Sequence, residues 1–253
     1  MTRTVAIVQA RMGSTRAPNK VLADIAGKPM LAHVLERTAR SRVDAVVVAT
    51  TGKPEDDVLA RWVPDSGLAD VFRGSEHDVL DRFWRAARHA HADVIVRVTA
   101  DDPLKDPQVI DRALSLLEAD ASLDYVSNTL NPTFPEGLDI EVFSFAALDR
   151  ARSEATLASE REHVTPYIWK HPELFRVLNF EHDEDLSSWR WTVDKPADID
   201  FMCKVFGAFP PGDPMPYQAV IDYVRLHPEV AAINSGTARN EGYAQSLHKE
   251  QQT

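Results

Sequence analysis

Three short apolar runs, separated by segments of helical length, place the strongest constraint on the fold of this chain. They are Thr4–Gln9, 45–49 and 94–98, each rich in valine and isoleucine. Runs of this kind are typical of strands that are buried on both faces of a parallel sheet. Between and after them, segments 30–35 and 79–87 place their apolar residues on one helical face. The pattern predicts a Rossmann-like α/β sandwich with a mostly parallel central sheet.

A basic loop follows the first predicted strand. Residues 10–22 read A-R-M-G-S-T-R-A-P-N-K-V-L and place Arg11, Arg16 and Lys20 around one glycine-containing turn. Backbone N–H groups in such a turn, together with these cations, can hold a polyphosphate. The loop is neither a P-loop nor a dinucleotide-binding turn. It predicts a site for a nucleoside triphosphate, and the alternative is a solvated basic surface loop.

Composition excludes several classes of protein. The formal net charge of −11 over 253 residues argues against a general nucleic-acid binder, which needs a broad basic face. The single cysteine permits no internal disulfide, and no apolar run approaches the roughly 18 residues of a membrane span. The N-terminus has no pattern of a secretory signal. We therefore expect a cytoplasmic protein without membrane insertion.

Acidic residues follow two predicted strands and suggest a metal site. Asp101 and Asp102 come directly after the third strand, and Asp194 ends the strand-like run 189–193. One or two carboxylates are the protein ligands that Mg²⁺ commonly uses. Strand ends that meet at one edge of the sheet could bring Asp101 and Asp194 to one ion. The alternative is that these residues only cap the turns and the helix that follow, in the case of Asp194 the helix beginning at Pro196.

The middle of the chain carries polar residues suited to a sugar. The segment 137–142 alternates like a strand and places the carboxylates of Asp139 and Glu141 on one face. Glu162 and His163 lie near the start of a predicted helix over 160–169. Carboxylates and a histidine can bind sugar hydroxyls. His163 could equally be a structural, hydrogen-bonded histidine.

Taken together, these segments resemble the spore-coat polysaccharide biosynthesis protein F family, which is similar to the cytidylyltransferases that activate 3-deoxy-manno-octulosonate and acylneuraminates. The resemblance rests on residues 10–22, 73–75 (R-G-S), 99–104 (T-A-D-D-P-L), 135–141 (P-E-G-L-D-I-E), 161–167 (R-E-H-V-T-P-Y), 191–194 (W-T-V-D) and the tail 233–243. It implies a nucleotide-diphospho-sugar transferase sandwich over 1–206, with an acceptor and dimerisation lobe at about 128–182, and a helical extension over 207–253.

The resemblance also implies the reaction and its residues. It implies a Mg²⁺-dependent cytidylyltransferase that moves CMP from CTP to a sugar, a 2-keto sugar acid, in surface polysaccharide biosynthesis, and that forms a homodimer. The implied nucleotide-binding residues are Ala10, Arg11, Met12, Gly13, Ser14, Arg16, Lys20, Gly74 and Ser75. The implied catalytic residues are Arg11, Lys20 and Asp101, with Mg²⁺ on Asp101 and Asp194. The implied substrate-binding residues are Gly137, Asp139, Glu141, Glu162 and His163.

Two alternatives from other classes stay open at the level of sequence. A glycosyltransferase that consumes a nucleotide sugar can share this sandwich and a carboxylate-bound metal, so that fold alone does not separate the two enzymes. The three cations of the loop favour a triphosphate over the diphosphate of a nucleotide sugar. A non-catalytic nucleotide-binding subunit is the other alternative, and it would bind CTP without turnover.

Overall fold

A seven-stranded sheet forms the centre of the protein. The structure is a computed structural model that describes residues 2–13, 19–237 and 239–252. In this part of the chain the strands are β1 (Thr4–Gln9), β2 (Asp24–Ile25), β3 (Lys28–Pro29), β4 (Ala45–Thr51), β5 (Asp70–Gly74), β6 (Val94–Thr99), β7 (Tyr125–Ser127), β8 (Glu141–Ser144) and β9 (Val177–Asn179). The order in the main sheet is β5-β4-β1-β6-β8-β7-β9. β8 runs antiparallel to both neighbours, and the other pairs are parallel.

Helices cover both faces of this sheet. Within the described residues they are α1 (Met30–Thr38), α2 (Asp57–Ser66), α3 (Val79–His89), α4 (Pro107–Ala119), α5 (Phe145–Glu154), α6 (Ala158–His163), α7 (Pro166–Lys170), α8 (Pro196–Gly207), α9 (Tyr217–Leu226), α10 (Pro228–Ala231) and α11 (Glu241–Glu250). Among these helices, none has the combination of length and apolar character that crossing a bilayer requires.

The two layers of helices bury two separate apolar clusters. Successive residues of β1 alternate between them: Ala6 and Val8 belong to one cluster, and Val5 and Ile7 belong to the other. All four are fully buried. Side chains of a strand alternate between the faces of a sheet, so an apolar residue at every position requires cover on both sides. The sandwich predicted from the three apolar runs is confirmed.

An aspartate caps the N-terminus of each of two helices. Asp78 accepts a hydrogen bond from the N–H of Asp81 (2.9 Å) at the start of α3. Asp106 accepts one from the N–H of Gln108 (2.8 Å) at the start of α4, which has Pro107 as its first residue. These carboxylates satisfy N–H groups that have no partner inside the helix.

The single helix predicted over 160–169 is wrong. The structure has the two short helices α6 and α7 instead, divided at Val164, whose φ is +74°. Pro166 lacks a backbone N–H and its ring collides with the preceding turn, so a continuous helix cannot pass through it. The break leaves His163 and Thr165 at the edge of a central cavity.

Two strand-like runs are also irregular over most of their length. In 137–142 only the last two residues belong to β8, and Gly137 has a φ of +106°. The run 189–193 makes one isolated parallel bridge, between Glu136 and Arg190. Both sides of β6 are already paired, with β1 and with β8, so this run lies against residues around 136 rather than in the sheet.

Candidate active site

The two described ends of the loop after β1 lie in different surroundings. Asp56 holds the described beginning of the loop, because its Oδ1 accepts the N–H of Met12 at 2.7 Å. Ala10 is buried and continues the pairing with β4 through the carbonyl of Ala49. Ser14 and Arg16, predicted to bind the nucleotide, lie outside the described residues. At the far end, Lys20 begins a short 3₁₀ turn and is almost fully buried.

Lys20 joins the two aspartates that were predicted to share a metal. Its Nζ lies 3.1 Å from Oδ2 of Asp101 and 2.8 Å from Oδ1 of Asp194, and it also donates to the carbonyl of Val193 at 2.7 Å. Asp101 follows β6 and Asp194 precedes α8, so three distant parts of the chain meet at the carboxyl ends of the strands. In such sheets this edge is where ligands bind.

The charges in this cluster stabilise one another. Burial lowers the pKa of Lys20, but the carboxylates of Asp101 and Asp194 outweigh it, and the net shift is upward. Burial likewise opposes ionisation of Asp101, and the Lys20 ammonium lowers its pKa below the usual value. At neutral pH, Lys20 is therefore a cation held against ionised Asp101.

Arg190 ties Asp194 to a second group of carboxylates. Its Nη2 lies 3.0 Å from Oδ2 of Asp194, its Nη1 lies 2.8 Å from Oε2 of Glu136, and its Nε lies 3.0 Å from Oδ1 of Asp198. Burial opposes the charge of Arg190, but the hydrogen bond and charge of Asp198 outweigh it and raise the pKa. The fork of the guanidinium fixes the direction in which the Asp194 carboxylate points.

The structure decides the alternative for Asp194 against a helix cap. Asp198 accepts the N–H groups of Asp194 and Lys195, both at 2.8 Å, at the start of α8. Asp194 turns its own oxygens towards Lys20 and Arg190. Asp198 therefore caps the turn before α8, and the side chain of Asp194 lines the cavity.

Asp102 differs from Asp101 in its surroundings. Its Oδ2 accepts hydrogen bonds from Thr99 (2.6 Å) and from the fully buried Lys105 (2.9 Å). Burial, followed by the nearby charges of Asp101 and Asp139, raises the pKa of Asp102 to about 6, although Lys105 opposes the shift. Asp102 anchors Lys105 beneath the cavity.

Another part of the predicted nucleotide-binding set lies near the end of β5, the strand at one edge of the sheet. Arg11 forms a 3.4 Å ion pair with Glu76, which also pairs with Lys53 at 2.6 Å. Gly74 ends β5, and a Cβ there would come within 2.9 Å of the Arg82 side chain. Ser75 follows directly, with its carbonyl accepting from Arg82 at 2.5 Å.

A cavity of about 540 Å³ opens beside the Lys20 cluster. This volume is in the range of pockets that bind small molecules. Of the residues predicted to bind substrate, Asp139, Glu141 and His163 line it. Gly137 instead lies against the backbone of Trp191, and Glu162 accepts a hydrogen bond from Ser246 at 2.9 Å.

Several lining residues were not identified from the sequence. Arg97 in β6 is the cross-strand neighbour of Glu141, and the two form an ion pair. Arg190 and Glu136 line the cavity, as does the segment Asn240 to Tyr243 at the start of α11. A charged residue inside the run V-I-V-R-V was the one available signal for Arg97, since a buried charge needs a partner.

Comparison with known proteins identifies the family. A family model described as cytidylyltransferase matches residues 5–209. The chain is 38% identical to the uncharacterized protein MJ1063 of Methanocaldococcus jannaschii over 95% of this chain and 98% of that protein. It is 36% identical to the spore coat polysaccharide biosynthesis protein SpsF of Bacillus subtilis, over 77% of this chain and 82% of SpsF.

A third relative and a solved structure agree with this family assignment. The 3-deoxy-manno-octulosonate cytidylyltransferase of Geobacter sulfurreducens is 46% identical, over 44% of each chain. A cytidylyltransferase structure from Leptospira borgpetersenii superposes with a TM-score of 0.88 at 30% identity, and covers 94% of this chain and 100% of its own. This chain belongs to the cytidylyltransferase family and is a nucleotidyltransferase.

Proposed function

We propose that this protein transfers CMP from CTP to a hydroxyl of a sugar, a 2-keto sugar acid, and releases pyrophosphate in the synthesis of a surface polysaccharide precursor. The observation that carries the proposal is the cluster of Lys20, Asp101 and Asp194 beside a cavity of sugar size. The cluster supplies a cation next to two carboxylates where the loop after β1 meets the strand ends. The names of SpsF and of the octulosonate cytidylyltransferase support a sugar acceptor.

The residues present fit a magnesium ion. Asp101 and Asp194 each direct one carboxylate oxygen at the Lys20 ammonium, so the two side chains together already stabilise a positive charge. In the described ranges there is no cluster of three or more His, Cys, Asp or Glu side chains suited to a metal. A pair of carboxylates suits Mg²⁺, which keeps waters and phosphate oxygens in its remaining positions. Bound there, the ion would supply charge to the α-phosphate and lower the pKa of the attacking hydroxyl.

In the proposed reaction, the sugar oxygen forms a bond to the α-phosphorus while the bond between the α-phosphorus and the bridging oxygen breaks. The hydroxyl proton is released, and pyrophosphate carries away the negative charge. In this proposal Lys20 and Arg11 would neutralise the charge of the phosphates, and the carboxylates of the cavity would orient the sugar. Catalysis of this kind rests on positioning and on charge stabilisation rather than on a covalent enzyme intermediate.

The test measures pyrophosphate release with each of the four nucleoside triphosphates, Mg²⁺, and a panel of 2-keto-3-deoxy sugar acids and neutral sugars. Release that needs both CTP and one sugar is the expected result, and removal of the metal with a chelator should abolish it. Confirmed CTP binding with no release from any acceptor would refute the proposal. The homodimer and the cytoplasmic location stay predictions, and sedimentation of the purified protein tests the first.

A further inference from the structure

One wall of the cavity comes from the C-terminal segment. Asn240, Glu241, Gly242 and Tyr243 line it, at the start of α11. The family model ends at residue 209, so this wall lies outside the part of the chain that the model matches. The segment therefore contributes surface to the pocket that the common cytidylyltransferase core does not.

Specific contacts hold this wall in place. Arg239 pairs with the carboxylate of Asp139 and donates to the carbonyl of Phe134 at 2.9 Å. The N–H of Asn240 donates to Oε1 of Glu136 at 3.1 Å. Farther along α11, the hydroxyl of Ser246 lies 3.0 Å from Nε2 of His163. Contacts before Tyr243 and after it therefore anchor the segment to residues that line the cavity.

Two buried donors without a hydrogen-bond partner among the described residues belong to side chains that line the cavity. The hydroxyl of Tyr243 and Nε of Arg97 make no hydrogen bond within the described part of the chain. An unsatisfied buried donor costs about 1–3 kcal/mol relative to a satisfied one, so a fold keeps it where something else uses it. Since both residues line the cavity, a ligand bound there is a partner that these donors can meet.

Among the described residues that line the cavity, Arg97 keeps more free donors than Arg190 does. Arg190 uses Nε, Nη1 and Nη2 on three carboxylates. Within the described part of the chain, Arg97 makes one side-chain hydrogen bond, from Nη1 to Glu141, whose other oxygen accepts from Tyr125 and Thr165. The guanidinium of Arg97 therefore has donors left for a further anionic oxygen.

His163 packs against Tyr243 and lies close enough to Arg97 to be affected by its charge. Its ring centroid lies 5.0 Å from that of Tyr243, in an edge-on arrangement. Burial and then the charge of Arg97 lower the pKa of His163, so its ring is neutral at neutral pH. This part of the cavity thus combines the Arg97–Glu141 ion pair, one neutral imidazole and one phenol.

We propose that Arg97 and Tyr243 together bind the carboxylate of the acceptor, which makes the C-terminal segment part of the acceptor site. The inference rests on the proposed function. A carboxylate presents two acceptor oxygens and a negative charge, which matches one guanidinium donor and one hydroxyl donor.

The test compares kinetics of the wild type with Tyr243→Phe, Arg97→Lys and the control Gln245→Ala, an exposed position on α11. Tyr243→Phe should raise the acceptor KM about 10-fold and leave the CTP KM unchanged, because a hydrogen bond to a charged group is lost. Arg97→Lys keeps the pair with Glu141 and loses Nε, so it should show the same split. Both variants should discriminate less between the sugar acid and the same sugar with its carboxylate reduced to an alcohol.

A second readout separates binding from folding. Tyr243→Phe removes an unsatisfied hydroxyl, so the unliganded protein should have the same thermal midpoint as the wild type or a higher one. An unchanged acceptor KM and unchanged acid discrimination in an active Tyr243→Phe variant would overturn this inference alone. Better turnover of neutral sugars than of any sugar acid would overturn the carboxylate assignment while leaving cytidylyl transfer intact. A wild type that binds CTP but has no acceptor overturns the proposed function and this inference together.

Discussion

Gly137 offers the sharpest test of how the site is built, since the chain there has no room for a side chain. Its φ is +106°, and a Cβ would lie 2.3 Å from the carbonyl oxygen of Trp191 and 2.5 Å from its carbonyl carbon. The two backbones cannot simply separate. Two backbone hydrogen bonds hold them together: the N–H of Glu136 donates to the carbonyl of Trp189 at 2.9 Å, and the N–H of Trp191 donates to the carbonyl of Glu136 at 2.6 Å.

Two terms set the loss of unfolding free energy that we expect for Gly137→Ala. A non-glycine residue at positive φ costs roughly 1–2 kcal/mol. Forcing an extra methyl against fixed backbone adds about 1–3 kcal/mol. Gly137→Ala should therefore lower the free energy of unfolding by about 2–5 kcal/mol. Gly27 is the matched control, since its φ is +85° and a Cβ there would meet nothing within 4 Å. Gly27→Ala should cost only the first term, about 1–2 kcal/mol.

Urea unfolding of the two variants and the wild type measures these free energies. The clash also displaces the run that leads to Asp194, so kcat/KM for pyrophosphate release should fall in Gly137→Ala and hold in Gly27→Ala. Equal losses of stability in the two variants, within about 0.5 kcal/mol, would refute the steric argument. Gly137 would then matter for its backbone conformation alone.

Three further predictions concern the charged groups. Asp101→Asn should lower turnover by roughly 10²-fold or more while Asp65→Asn, at an exposed position, leaves it unchanged, and equal pyrophosphate release would remove Asp101 from the mechanism. Arg190→Met should cost about 3–5 kcal/mol of unfolding free energy because it strands buried carboxylates, against less than about 1 kcal/mol for the half-exposed Arg42→Met. The raised pKa of Asp102, about 6 against 3.8 when unfolded, means that the folded protein keeps a proton which the unfolded chain has released. Wild-type stability relative to Asp102→Asn should therefore fall by about 3 kcal/mol as pH rises from well below 3.8 to well above 6, and a flat difference in denaturant melts would contradict this.

The sequence alone determined the architecture and where the site lies along the chain. The three apolar runs identified β1, β4 and β6, because strands buried on both faces need apolar residues at consecutive positions. Parallel strands end at one edge of a sheet, so polar residues after those runs were already expected to meet there. Asp101 and Lys20 follow from this rule, and they do meet.

Only the tertiary structure decided which side chains act on one another. The local pattern before Pro196 fits a helix cap as well as a site carboxylate. The contacts of Asp194 with Lys20 and Arg190, residues 174 and 4 positions away, decided against the cap. Arg97 meets Glu141 through the register of β6 with β8. Tyr243 reaches the cavity because α11 packs back against α6. These contacts join distant parts of the chain, and their energy comes from burial and pairing in the folded state, which no local periodicity records.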